Sequence, residues 1–374
     1  MDLFDRIRHS QILICCGSGG VGKTTVSATL GLFGAMIGRK TLVLTIDPAK
    51  RLADSLGLGP LQHEEQRVPE EKFEAVGLTP RGELYAMMLD TKRAFDRIVE
   101  RHAASSSMRD RFFNNRYYQN LSGRLAGSHE YMAMEKLHEI HERGEYDLIV
   151  LDTPPSRRAL DFLDAPQRLT NLLGDSMLWK LMKPYVKTGF WGLKMMGALT
   201  FPVQKVIGNL MGMQVFEDIQ DFFKLGDDVF FEGFRRRAQA VRQLIASPEV
   251  LFLAVTGPMH SPMREVRHLF ETIQSNDMDF GGFIVNRVHP HHPENIETGA
   301  LTEALELDTG LADRLQKNYT RFQKLAHSDR EMIQELRKTA GPDAMIQEVP
   351  YFETDVYDFS GLVRVYEHLK PDWL

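Results

Sequence analysis

The segment QILICCGSGGVGKTT, at residues 11–25, restricts the chain to few folds. An apolar run leads directly into a glycine-rich loop, and the following VSATLGLFGAMIG has helical spacing that ends at Gly38. In phosphate-binding loops, a glycine-rich loop connects a strand to the helix that follows it. Glycines let backbone N–H groups converge on phosphate oxygens, and the helix N-terminus favours an anion. The alternative is a glycine turn with an incidental Lys-Thr pair.

The predicted ligand of this loop is ATP with Mg²⁺. We expect Lys23 to reach the β- and γ-phosphates and to act in catalysis, and the hydroxyl of Thr24 to bind Mg²⁺. The residues predicted to bind the nucleotide here are Gly17, Ser18, Gly19, Gly20, Val21, Gly22, Lys23, Thr24 and Thr25.

Six short apolar runs, separated by helical stretches, predict an α/β fold. They are nearly continuous in Val, Ile and Leu, which is typical of buried parallel strands. We therefore predict a doubly wound, mostly parallel sheet of the P-loop NTPase type with an inserted all-helical subdomain. The predicted strands cover residues 11–16, 41–46, 146–152, 250–257, 281–288 and 344–352.

The third and fourth of these runs are almost a hundred residues apart, and 166–245 has helical character throughout. The predicted domains are an ATPase domain at 1–165 and 246–374, and a helical insertion at 166–245.

Two aspartates follow predicted strands, at the edge of the sheet where ligands bind in such folds. Asp152 ends YDLIVLD and is placed to hold Mg²⁺, through a water molecule. Asp47 ends TLVLTID and is a candidate catalytic residue that orients or deprotonates the attacking water. For Asp47 the alternative is a helix N-cap.

Taken together, GSGGVGKTT, TIDPAKRLADSL and LDTPPSRRALDFL resemble the ArsA family of ATPases. That family includes the arsenite-pump ATPase and the tail-anchored-protein targeting ATPase. The resemblance implies that Asp47 belongs to switch I and that residues 152–156 form switch II. It also implies that Asn286 hydrogen-bonds adenine, with Pro350 and Tyr351 near the base. Without the resemblance, Asn286 is a polar residue at a strand end.

One loop residue departs from the family pattern. The resemblance implies a signature lysine that crosses a dimer interface to the partner's phosphates, and this chain has Ser18 at that position. Because a cation at such a place is worth several powers of ten in rate, we expect slow hydrolysis or a substitute cation. The candidates for this substitute cation that lie nearest in sequence are Lys50, Arg51, Arg157 and Arg158.

The segment 177–213 predicts a surface for an apolar client. It holds six of the eighteen methionines, and residues 180–213 contain five lysines and no acidic residue. Flexible Met side chains suit varied apolar partners, and interleaved lysines suit a membrane surface. The alternative is an ordinary helical core with a solvated lysine face.

Charge and cysteine content exclude several classes. The net charge of −6 provides no basic field for nucleic acid. The adjacent Cys15 and Cys16 point to opposite faces of a strand, so neither a disulfide nor arsenite coordination is expected. Since no apolar run is long enough to span a bilayer, we expect a cytoplasmic protein, peripheral to the membrane at most.

The sequence therefore predicts an ATPase, a homodimer or a heterodimer with a paralogue. Its ATP-bound state would assemble a hydrophobic helical surface for a client protein or membrane segment. The alternative is an ATP-bound regulatory or scaffold partner of a paralogous ATPase, with weak hydrolysis of its own. An anion-pump ATPase is a third reading, to which the sequence gives no support.

Overall fold

The computed structural model describes residues 3–47, 51–61, 63–103, 105–116, 118–119, 128–153, 228–292, 308–342 and 344–371. The chain divides into two compact units. The first comprises Met1–Met88, Glu145–Ala159 and Ala246–Leu374, and the second Leu89–Gly144 and Leu160–Ile245.

The first unit is built on one sheet. Its strands are β1 (Ile12–Cys16), β2 (Lys40–Thr45), β3 (Gln66–Arg67), β4 (Glu83–Met88), β5 (Leu148–Asp152), β6 (Val250–Thr256), β7 (Phe280–Val288) and β8 (Ile346–Pro350). They lie in the order β3-β4-β2-β5-β1-β6-β7-β8. Every neighbouring pair is parallel except β3 and β4. The predicted α/β fold class is thereby confirmed.

The central strands are apolar because both of their faces are covered. Every residue of β1, β5 and β6 is buried, as expected for parallel strands between helical layers. The predicted runs match the observed strands to within about two residues, a usual uncertainty for element ends. Sequence patterning missed β3 and β4, which form one edge of the sheet.

Helices cover the sheet of the first unit. They are α1 (Leu3–His9), α2 (Lys23–Met36), α3 (Arg51–Ser55), α4 (Glu70–Glu74), α9 (His260–Ser275), α10 (Thr309–Ala340) and α11 (Phe359–Leu369). Helix α2 follows β1 directly and is buried along most of its length. Its N-terminus is therefore held at the carboxyl edge of the sheet.

The second unit is helical where it is described. Its helices are α5 (Thr91–His102), α6 (Ser106–Asn114), α7 (Ser128–Arg143) and α8 (Asp228–Ile245). Within it, Glu135 on α7 pairs with Arg237 on α8, and the Tyr118 hydroxyl donates to Asp96 at 2.7 Å. Among the described helices, none has the length and apolarity to cross a bilayer.

The predicted domain division stays a prediction. Residues 166–227, most of the predicted insertion, lie outside the described ranges, and with them the methionine-rich segment 177–213. Residues 89–144, which the prediction assigned to the ATPase domain, group with the second unit instead. Within the second unit, α5 packs on α6 and α7, and α7 packs on α8.

Candidate functional site

A cavity of about 810 Å³ opens in the first unit at the carboxyl ends of the central strands. Ligands of open α/β sheets bind at this edge, where the strand order reverses. Many of the predicted site residues line it. They are Gly19, Gly20, Gly22, Lys23, Thr24, Thr25, Asp47, Asn286 and Tyr351.

The phosphate loop takes a conformation that side chains would obstruct. Gly22, the N-cap residue of α2, has φ 93°, and a Cβ there would lie 2.2 Å from Nδ2 of Asn286. A Cβ on Gly17 would lie 2.0 Å from the carbonyl oxygen of Val255 on β6. Because only glycine avoids both the strain and the overlap, these positions keep the loop backbone open. The N-terminus of α2 adds a favourable potential for phosphate.

Lys23 lies inside this loop. Its Nζ donates to the carbonyl oxygen of Ser18 at 2.8 Å, and the side chain is buried. Burial lowers the pKa of Lys23, while the nearby charges of Asp152 and Asp47 oppose the shift. Lys23 therefore lies within the phosphate loop, and its contact with the terminal phosphates stays a prediction.

Asp152, at the end of β5, accepts hydrogen bonds from three hydroxyl groups. Oδ2 accepts from Thr24 at 2.7 Å and from Thr45 at 2.9 Å, and Oδ1 accepts from Ser27 at 3.5 Å. Burial raises the pKa of this carboxyl group, whereas the Thr24 and Thr45 hydrogen bonds and the charge of Lys23 lower it.

This donor set fits the predicted magnesium ion. Thr24 and Asp152 are adjacent, and they present hydroxyl and carboxylate oxygens, which Mg²⁺ prefers. Sequence reasoning missed Thr45 and Ser27. Thr45 ends β2 two residues before Asp47, so its position at a strand end beside a predicted site residue was the available signal.

Asp47 lies half-buried on the cavity wall. Its backbone N–H donates to Oγ1 of Thr45 at 3.2 Å. Arg51, Asp54 and Ser55 of α3 line the same cavity. The predicted cations Lys50, Arg157 and Arg158, and residues 154–156 of switch II, lie outside the described residues.

Ser18 is buried and faces an acidic residue. Its hydroxyl donates to Oε2 of Glu265, on α9, at 2.5 Å. Sequence reasoning missed Glu265, since nothing near Ser18 in the chain indicates which helix packs beside the loop.

The end of β7 forms another wall of the cavity. The Asn286 amide donates from Nδ2 to the carbonyl oxygen of Val21 at 2.9 Å and accepts from the Arg287 backbone N–H at 3.0 Å. Arg287 has φ 64°, a left-handed conformation that is costly for a residue with a Cβ. The structure thus fixes Asn286 against the phosphate loop, and its contact with adenine stays a prediction.

Residues at the end of β8 lie next to this wall. Pro350 ends β8 and pairs with Val288 of β7. Tyr351 follows it, lines the cavity with 45% of its surface exposed, and donates its N–H to the carbonyl oxygen of Val288 at 2.8 Å. Tyr351 therefore lies on the cavity wall, whereas Pro350 is not among the lining residues. Contact of either residue with adenine stays a prediction.

The two cysteines are buried in β1. Burial raises the pKa of Cys16 to about 12 and raises that of Cys15 as well. Because the thiolate is the form that binds metal and metalloid ions, neither thiol is prepared for such a role.

Comparison with known proteins agrees with this geometry. A family described as "Anion-transporting ATPase", the ArsA ATPases, matches residues 10–337. A protein of Aquifex aeolicus named as an arsenical pump-driving ATPase is 21% identical over 369 residues, 97% of this chain and 79% of the relative. The ATPase GET3 of Malassezia globosa is 28% identical over 216 residues, 57% of this chain and 59% of the relative. An ATPase ASNA1 homolog of Entamoeba histolytica is 26% identical over 282 residues, 73% of this chain and 75% of the relative.

Proposed function

The chain belongs to the ArsA family of ATPases, and from this membership we propose that it hydrolyses ATP with Mg²⁺ in the cavity of its first unit. The observation that carries the proposal is the cluster in which Thr24 and Thr45 both donate to Asp152, beside Lys23. A buried carboxylate held in this way at a phosphate loop is what a magnesium–triphosphate site requires.

Each part of the cavity has a role in this proposal. Backbone N–H groups of the glycine loop and Nζ of Lys23 bind the phosphate oxygens. Thr24 would bind the magnesium ion directly and Asp152 through a water molecule, and the bound ion would offset negative charge on the phosphates. Asp47 orients the attacking water and accepts its proton. Asn286 and Tyr351 hold the adenine base.

The test of hydrolysis is the separation of binding from turnover. Asp47→Asn keeps the shape of the side chain but removes the base. This variant should bind ATP as wild type does and release phosphate at least about a hundredfold more slowly. Asp277→Asn, an exposed residue with φ 54° before β7, is the matched control and should turn over normally. Equal phosphate release from Asp47→Asn and wild type would contradict the role of Asp47.

We further propose that ATP binding assembles a hydrophobic surface in segment 177–213 for an apolar helix of a client or membrane protein. The support is the methionine-rich, acid-free composition of that segment and the similarity to relatives named GET3 and ASNA1. The γ-phosphate would order switch loops at Asp47 and Asp152, which transmit the change. The test is the affinity of Asp47→Asn for an apolar helical peptide of about 20 residues. Equal affinities with ATP and with ADP would refute this part of the proposal.

Ser18 favours a second candidate function. Since Ser18 supplies no cation and is tied to Glu265, a partner subunit would supply the missing charge. The chain would then be an ATP-bound regulatory or scaffold subunit of a paralogous ATPase. A stable heterodimer whose turnover greatly exceeds that of either subunit would support this function, and full turnover by a homodimer would refute it.

An arsenite-binding role receives no support from the thiols. Cys15 and Cys16 lie buried in β1 with raised pKa values, although some relatives are named arsenical pump-driving ATPases. We therefore do not extend that name to this chain.

A further inference from the structure

The loop that follows β7 is fixed to the long helix α10 by one buried carboxylate. Oδ2 of Asp329 accepts from the backbone N–H of His289 at 2.8 Å and from its ring Nδ1 at 2.7 Å. The Asp329 side chain is only 7% exposed. Because a carboxylate accepts hydrogen bonds, the His289 proton is held on Nδ1, and both the tautomer and the plane of the ring are set.

The fixed ring of His289 belongs to a cluster of three aromatic rings that contact one another. Tyr351 stacks on one face of it, with centroids 5.0 Å apart and planes inclined by 14°. Phe322, also on α10, contacts the His289 ring edge-on, with ring centroids 4.9 Å apart. Phe322 also meets the Tyr351 ring edge-on, with centroids 6.5 Å apart. Tyr351 lines the cavity and is 45% exposed.

The contact with His289 restricts the rotamer of the exposed Tyr351 ring. The hydrogen bond from Tyr351 N–H to Val288 fixes the backbone but leaves the ring free to change rotamer. Ordering a free side chain on ligand binding costs entropy, which pre-organisation avoids. The stack on His289 supplies that pre-organisation. The rings of a purine base prefer offset stacking on such a surface.

We propose that His289, held by Asp329, is a positioning residue that presents Tyr351 as a flat surface for the adenine base. The inference rests on the proposed function, because it assumes that a nucleotide occupies the cavity. His289 acts through Tyr351 and does not touch the phosphates. Removal of the His289 ring should therefore weaken the binding of the adenine base and leave the binding of the phosphates unchanged.

The experiment compares ATP with inorganic tripolyphosphate, which has the phosphate chain but no base. For His289→Ala we expect ATP affinity to fall by about fivefold to twentyfold and tripolyphosphate affinity to stay unchanged. The KM for ATP should rise while kcat is retained, since the lost contact is equal in the ground and transition states. His292→Ala is the matched control, because His292 lies in the same loop and is held through its backbone N–H by Gln323.

Further variants separate positioning from folding. His289→Phe keeps a ring under Tyr351 and should restore most of the ATP affinity. Tyr351→Ser should lose at least as much ATP affinity as His289→Ala. The double variant should bind ATP no more weakly than Tyr351→Ser, because the two residues act as one unit. A thermal melt of each variant reports on folding.

Three kinds of outcome would overturn three different claims. Equal losses of ATP and tripolyphosphate affinity in His289→Ala, or no loss of either, would overturn the positioning role while leaving the proposed function intact. Wild-type protein that binds tripolyphosphate no less tightly than ATP would overturn the base platform itself. Wild-type protein that binds neither would overturn the proposed function.

Discussion

The hydroxyl of Ser18 donates to Oε2 of Glu265 over 2.5 Å, although 247 residues separate the two in sequence. The same carboxylate receives the Ser261 hydroxyl on Oε1 at 3.5 Å. The second position of the phosphate loop is therefore tied to α9 rather than exposed at a surface. Any cation introduced at this position would meet a carboxylate first.

This contact predicts the outcome of restoring the family's lysine. Ser18→Lys alone should leave phosphate release within about twofold of wild type, because the new ammonium pairs with Glu265. Ser18→Lys combined with Glu265→Gln removes the competing charge and should raise the rate by tenfold or more, an order of magnitude that a phosphate-neutralising cation supplies. Steady-state phosphate release measures both. A large gain from Ser18→Lys alone would show that Glu265 does not hold the lysine.

Arg51 is the predicted substitute cation that lies on the cavity wall. Arg51→Ala should lower kcat by about tenfold or more if this guanidinium stabilises charge on the phosphates. Arg81→Ala serves as the control. Arg81 is exposed and precedes β4, at the amino ends of the strands and away from the cavity, so its loss should leave kcat unchanged. Unchanged kcat in Arg51→Ala would exclude it as the substitute.

Thr45→Val should destabilise the protein by about 1–3 kcal/mol, because it removes one donor from the buried Asp152. The measurement is the free energy of unfolding in denaturant. Thr41→Val is matched to it, since Thr41 is buried on the same strand but donates to the neutral carbonyl oxygen of Arg39 at 3.3 Å. If both variants lose the same stability, the hydrogen bond to Asp152 has no special weight.

Gly22→Ala should weaken ATP binding by about tenfold to a hundredfold. The left-handed conformation costs a residue with a Cβ about 1–3 kcal/mol, and the new methyl would overlap Asn286 at 2.2 Å. Relief of the overlap must move the loop or the Asn286 amide. Gly59→Ala, where a Cβ meets nothing within 4 Å, provides the comparison. Normal ATP affinity in Gly22→Ala, measured by calorimetry, would contradict the described loop geometry.

The thiols of Cys15 and Cys16 should be unreactive in the folded protein. Burial raises the pKa of Cys16 to about 12, so at pH 8 only about one molecule in ten thousand carries the thiolate at that residue. The reactive form appears only as pH rises towards that pKa. Ellman's reagent should therefore label neither cysteine at pH 8 in native protein and both in guanidinium chloride. Rapid native labelling would show that β1 is accessible.

The parts of the site that were predicted from sequence are those encoded locally. Apolar runs that end in glycine or aspartate located β1, the phosphate loop and the strand ends at Asp47 and Asp152. Strand β4 was missed because ELYAMM contains neither Val nor Ile, the residues that marked the other strands, and only half of its residues are fully buried. It pairs with β2 along six residues all the same.

The contacts that could not be predicted join residues far apart in the chain. Glu265 reaches Ser18 because α9 packs beside the loop, and Asp329 reaches His289 because α10 runs past the end of β7. A single sequence shows that these acids exist on helices but not which residue they face. Their partners follow from helix placement on the sheet, which many weak contacts determine together.

The order of strands in the sheet sets a sequence of events during synthesis. The phosphate loop emerges from the ribosome before either neighbour of β1, because β5 and then β6 follow it in the chain. The wall that carries Tyr351 follows β8, which comes after the other strands of the described sheet. If the cavity binds a nucleotide as proposed, the groups for its phosphates are therefore synthesised before the groups for its base.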